Sequence, residues 1–179
     1  MKFLKSLFTS IVGATALQAA APATVQNPAE MMRQMRLKWL TTAPAAGTYA
    51  ADDEVVAVLM DWPLGDQTIT VLSSSGGDAS LYTTSTFGVI GGIGHEKVRK
   101  AAKDFVGCAQ HYYALTKPTD KFPYPDAQTL YFYLVTPKGV RTVSFPLTDT
   151  EKPKAAAQTL YAYGQQVVTE LRQITPLQK

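Results

Sequence analysis

Thr86-Phe-Gly-Val-Ile-Gly-Gly-Ile-Gly-His-Glu-Lys-Val-Arg-Lys-Ala-Ala-Lys-Asp-Phe105 is the stretch on which the fold turns. It reads as the end of a strand, a glycine-rich bend and the start of a long helix. Gly88, Gly91, Gly92 and Gly94 lie close together, so the backbone here can take positive φ or approach another segment closely. From His95 onward, Val98, Ala102, Phe105, Ala109, Tyr112 and Leu115 recur at three- and four-residue steps, with Lys97, Lys100, Lys103 and Asp104 elsewhere on the wheel. That pattern predicts a one-sided helix over 95–115, about five turns long. Glu96 suits the positive end of the helix dipole, and Gly94 or its predecessor can cap it.

A glycine-rich turn before a helix can cradle a phosphate. The spacing here argues otherwise: the run has neither G-x-G-x-x-G nor a Walker pattern, and no following Lys-Ser or Lys-Thr. A tight strand-to-helix bend explains the glycines without a ligand. Gly91, Gly92, Gly94, His95 and Glu96 nevertheless stay as candidate ligand-binding residues, because His95 and Glu96 are the best acid/base pair in the chain.

Working outward, Glu54–Trp62 is apolar on both faces, with Val55, Ala57 and Leu59 one way and Val56, Val58, Met60 and Trp62 the other. Thr129–Thr136 has the same character, and such strands belong inside a sheet covered on both sides. Pro63-Leu-Gly-Asp66 reads as a turn. Thr68–Ser73 and Ala79 to about Phe87 follow as strands, and Val140–Leu147 returns after a Pro137-Lys-Gly139 turn. Asn27, Pro28 and Glu30 open an earlier helix through Met31, Met35 and Trp39 to about Leu40. A last helix over 154–174 presents Leu160, Gly164, Val168 and Leu171 on one face. The order is helix, three strands, helix, two strands, helix. It predicts an α+β fold with one mainly antiparallel five-stranded sheet packed by helices.

The hydrophobic share of 46% is enough for a real core, and 179 residues fit one domain, expected over 27–179, plus an N-terminal segment over 1–26. A formal charge of +3, part of it at Lys2 and Lys5, gives no nucleic-acid footprint. Cys108 is the single cysteine, so no internal disulfide can form. Residues 1–23 support two readings. They carry the charged, apolar and small-residue zones of a secretory signal, which would make the mature protein exported or periplasmic. They also set Phe3, Leu4, Leu7, Phe8 and Ile11 on one side of a short helix, the layout of a membrane-surface or docking segment on a cytoplasmic protein.

The strand and helix order is similar to that of the secretion-chaperone-like fold and, more loosely, to roadblock-like sandwiches. The chain also resembles an uncharacterised family of bacterial single-domain proteins. The matching pieces are Val58-Leu-Met-Asp61, Ala79-Ser-Leu-Tyr82, Gly88 to Glu96, Phe122-Pro-Tyr-Pro125, Leu130 to Val135 and Val167 to Arg172. That family carries no established activity. The resemblance implies one domain, and its members' short Phe/Leu/Lys start favours a retained N-terminal segment.

Enzyme signatures are missing. There is no G-x-S-x-G or S-x-x-K, and Cys108 and His111 lack the further ligands a metal site needs. No cofactor or metal is implied. Cys108 reads as a small core residue and His111 as a surface one; Asp61, at the expected end of its strand, reads as a turn cap or a ligand-orienting acid. The expectation is a non-catalytic protein-binding or scaffold module, homodimeric if a second copy covers one face of the sheet. Met31, Met35, Trp39, Phe122 and Tyr124 are its candidate partner residues. A ligand site at the bend 88–96 and a membrane-surface adaptor acting through residues 1–17 are the alternatives.

Overall fold

The computed structural model describes residues 27–42, 49, 51–85, 87–152 and 155–175. The N-terminal segment, with Phe3, Leu4, Leu7, Phe8 and Ile11, lies outside the described residues.

The chain runs α1 (Pro28–Thr41), β1 (Ala57–Leu64), β2 (Gln67–Ser74), β3 (Ala79–Thr83), β4 (Gly88–Val89), α2 (Glu96–His111), β5 (Lys117–Pro118), β6 (Thr129–Thr136), β7 (Gly139–Pro146) and α3 (Ala156–Ile174). The strands form one sheet in the order β4-β3-β2-β1-β6-β7-β5, and every neighbouring pair is antiparallel. The class is α+β, as expected. The sheet has seven strands rather than five, and the order becomes helix, four strands, helix, three strands, helix. The two additions are two-residue edge strands, too short to leave a pattern in the sequence. β4 forms because Thr83 folds the chain back: its hydroxyl donates to the Phe87 carbonyl at 2.6 Å and accepts from the Phe87 amide at 3.2 Å.

β1 and β6 lie side by side at the centre of the sheet, where their two-sided apolar pattern belongs. α2 and α3 cover one face, packing Val58, Met60, Val71, Leu130, Phe132 and Leu134 against Phe105, Leu160 and Leu171. α1 and the proline-rich segment around Phe122 cover the other, over Val56, Leu59, Leu72, Tyr82, Tyr133 and Val135. The shielding that would have called for a second copy is therefore supplied within one chain.

Several boundaries move. β1 begins at Ala57 and continues through Pro63 and Leu64, so the turn is Gly65-Asp66, with Gly65 at φ 64°. Pro63 is tolerated because β6 pairs with β1 only as far as Asp61, leaving the last residues of β1 as a two-stranded hairpin with β2. Alternation also slips at the start of β1. Val55 lies with Val58 under α2 and α3, while Val56 and Ala57 both lie under α1, so the expected faces of Val55 and Val56 are exchanged. The helix expected to reach 115 ends at His111 and tightens into a 3-10 turn over Tyr113–Leu115, which leaves Leu115 55% exposed. Arg141 of β7 draws the chain away at this point. Its guanidinium donates to the Thr116 carbonyl at 2.5 Å and to the Thr116 hydroxyl at 2.8 Å, and lies over the Tyr113 ring. The N-cap of α2 is His95 rather than a glycine, and its side chain makes no capping bond.

Candidate functional site

A groove of about 810 Å³ lies on the α2/α3 face, at the end of the sheet that carries the β1–β2 turn and the β3–β4 connection. That volume falls in the range of ordinary ligand sites. Trp62, Ile69, Leu81 and Val89 make its floor, and the C-terminal half of α3 makes its wall through Gln165, Val168, Leu171 and Arg172. Leu64 and Phe87 stand at its rim, 45% and 48% exposed. Ile90 and Ile93, just beyond in the chain, are 54% and 50% exposed. Large apolar side chains grouped this way around a concavity mark an interaction site more than a scatter of single exposed residues does.

Local packing explains how the groove is held. Trp62 meets Tyr161 of α3 edge-on, with ring centroids 5.7 Å apart. Gly164 lets the α3 backbone approach the sheet, since a Cβ there would sit 2.6 Å from the Met60 thioether. The groove's polar groups are mainly donors and hydroxyls. No Asp or Glu lines it, Arg172 makes no ion pair among the described residues, and the buried Gln165 Nε2 finds no hydrogen-bond acceptor. The other orphaned buried atoms, Ser73 Oγ and Asp78 Oδ1, lie around the β2–β3 turn.

The glycine bend is explained by packing. Gly91 takes φ 80°. Gly92 is buried, and a Cβ on it would fall 2.5 Å from Val98 Cγ1 and 3.0 Å from Leu171 Cδ2. Arg99 donates to the Ile93 carbonyl at 2.8 Å and closes the bend. Gly94, His95 and Glu96 are exposed, and of the bend only Gly88 and Val89 reach the groove.

The predicted partner residues do not form one surface. Met31 is exposed, whereas Met35, Trp39 and Phe122 pack against the core beneath α1. Tyr124 lies under a side chain that sequence reading passed over. Arg36, only 1% exposed, is bound bidentately to Asp61, which is fully buried within β1 rather than at its end. The Arg36 guanidinium also donates to the Phe122 carbonyl at 3.0 Å and the Pro123 carbonyl at 3.3 Å, and lies 4.4 Å from the Tyr124 ring centre. Thr70 donates to Asp61 at 2.5 Å, and Tyr133 to the Pro123 carbonyl at 2.8 Å. Burial pushes the Asp61 carboxyl above its ordinary range against the opposing pull of Arg36 and Thr70. For Arg36 burial works the other way, and the Asp61 carboxylate holds the guanidinium above its usual value. This network binds α1 and the 119–125 segment to the sheet. Its one sequence signal is an arginine on the apolar stripe of α1, four residues after Met32 and four before Leu40.

Two smaller cavities, of about 450 and 330 Å³, flank the C-terminal end of α1 and share Thr42 and Val135. Residues 43–48, which follow Thr42 in the chain, lie outside the described range. Cys108 is buried and His111 exposed, as expected; burial pushes the Cys108 thiol up to about 11. Among the described residues no three His, Cys, Asp or Glu side chains gather, and no helix is long and apolar enough to cross a membrane. Comparison with family models, with curated proteins and with solved structures finds no match to this chain.

Proposed function

We propose that this protein is a binding module that takes an apolar segment of another protein into the groove between α3 and strands β1–β4. The carrying observation is the rim: Leu64 and Phe87 stay half exposed beside the concavity floored by Trp62, Ile69, Leu81 and Val89. In water this exposure is unfavourable, and covering it returns roughly 25 cal/mol for each Å² of apolar surface removed. A groove with floor, wall and rim already in place also spares a partner much of the ordering cost of association.

The chain's two tryptophans separate the regions, since Trp62 floors the groove and Trp39, on α1, packs against the other face of the sheet. A Trp39→Phe variant therefore makes Trp62 emission a groove reporter. Peptides selected by display against the intact domain are expected to be rich in Leu, Ile, Val and Phe and to shift that emission. In a Leu64→Asp/Phe87→Asp variant their affinity should fall at least tenfold while the melting temperature holds. Peptides that bind the variant as well as the parent, or leave Trp62 emission unmoved, would remove the groove as the site. Self-association is the same proposal with the chain as its own partner. It would appear as a concentration-dependent mass in light scattering that the rim substitutions abolish.

A further inference from the structure

We infer that the segment this groove takes is a free C-terminus, held at its carboxylate by Arg172 and at an upstream backbone carbonyl by Gln165; this rests on the protein-binding reading above. The two side chains are seven residues apart on α3, so they stand two turns apart on the same side of the helix, about 10 Å along the groove wall. An extended peptide covers that distance in about three residues. Both groups offer hydrogens: Arg172 presents a planar guanidinium suited to a carboxylate, and Gln165 an amide N–H without an acceptor. Among the described residues no acid lines the groove to compensate Arg172, so the groove is complementary to an apolar body carrying one negative charge. The floor of Trp62, Ile69, Leu81 and Val89 belongs to the same groove as the two donors and can receive its side chains. An internal peptide segment would leave Arg172 unmatched, and an aliphatic chain would leave Gln165 without its acceptor.

The test uses fluorescence anisotropy on the full chain with a fluorescein-labelled hexapeptide pool ending in three residues drawn from Leu, Ile, Val and Phe. The same pool with an amidated C-terminus is the control. The free-carboxylate pool is expected to bind at least tenfold tighter than the amidated one. Arg172→Gln, an exposed substitution whose melting temperature serves as the folding check, should close that gap to under twofold. Gln165→Leu should weaken both pools by a similar few-fold factor. Equal binding of the two pools to the parent protein overturns the free-terminus inference and leaves the groove reading standing. If neither pool binds while display-selected internal peptides do, the outcome is the same. If no apolar peptide of either kind binds, both fall. Dodecanoate is the remaining arm. Binding of dodecanoate tighter than that of the free-carboxylate pool, dependent on Arg172 and indifferent to Gln165, assigns the groove to aliphatic carboxylates and overturns the peptide.

Discussion

The two faces of the sheet bury polar groups in opposite ways. Under α1, Arg36, Asp61, Thr70 and Tyr133 satisfy one another and the carbonyls of Phe122 and Pro123. Under α3, among the described residues, Gln165 Nε2 has no acceptor and Arg172 no acid, and large apolar side chains stand open at the rim. A buried polar group with its bonds complete is a strut, because any ligand would have to break what is already made. One left incomplete beside a concavity is a handle. The most heavily charged buried cluster in the described chain is therefore not where a partner is sought, and the quieter groove is.

The strongest way to break this contrast is to remove one half of the strut. Asp61→Leu leaves the buried Arg36 guanidinium without its carboxylate, with the Phe122 and Pro123 carbonyls as acceptors and the Tyr124 ring beside it. Loss of one partner of such a pair costs roughly 3–5 kcal/mol. Urea unfolding followed by circular dichroism should show that loss. The double variant Arg36→Met/Asp61→Leu should recover most of it, since two apolar groups of similar volume need no compensation. Peptide binding in the groove should survive in the double variant. A single substitution costing under about 1 kcal/mol, or a double variant that folds well yet no longer binds, would mean the α1 face is not merely structural.

The sequence made half of this legible. The two-sided apolar runs of 54–62 and 129–136 placed β1 and β6 at the sheet centre, because burial on both faces leaves a continuous apolar pattern that no edge strand tolerates. Three- and four-residue spacing pointed to helices over 95–115 and 154–174, and they form over 96–111 and 156–174. What stayed hidden depended on register. Asp61 looked like a turn residue because Pro63 and Gly65 follow it, and only the observed pairing shows β1 running on through Pro63. Arg36 was passed over, because an arginine on a short helix gives no sign by itself that a buried carboxylate faces it. The groove had no local signal at all: its floor comes from four strands and its wall from a helix more than seventy residues later in the chain.

Glycines at the bend sharpen the comparison at a smaller scale, since two of them a single residue apart do different jobs. Gly92→Ala drives a methyl against Val98 and Leu171, whose own backbones are fixed in α2 and α3. Overpacking of that kind costs about 1–3 kcal/mol. At Gly94 a Cβ meets nothing within 4 Å and φ is not positive, so Gly94→Ala should fall within about 0.5 kcal/mol of the parent. Because Leu171 also lines the groove, Gly92→Ala should alter Trp62 emission, and Gly94→Ala should not. Equal stability losses at the two positions would mean the bend is strained as a whole rather than packed at one point.

The smallest effect is expected within the α2/α3 face itself, where Cys108 sits in the filled part of the core that Val168 and Leu171 share with the open groove. Burial holds its thiol at about 11, against an ordinary value near 9. Folding thus favours the neutral thiol. That contribution is fully present below about pH 9 and is lost as the pH climbs through about 11, where the unfolded chain gains by ionising and the folded one does not. Cys108→Ala removes the dependence. The stability difference between parent and variant should therefore be flat from pH 7 to 8.5 and shrink by roughly 1–2 kcal/mol by pH 10.5. A thiol reagent at pH 8 should label the folded protein far more slowly than the urea-unfolded chain. Rapid labelling in the fold would show that this part of the core opens as readily as the groove beside it, and the distinction between a filled half and an unfilled half would have to be drawn elsewhere.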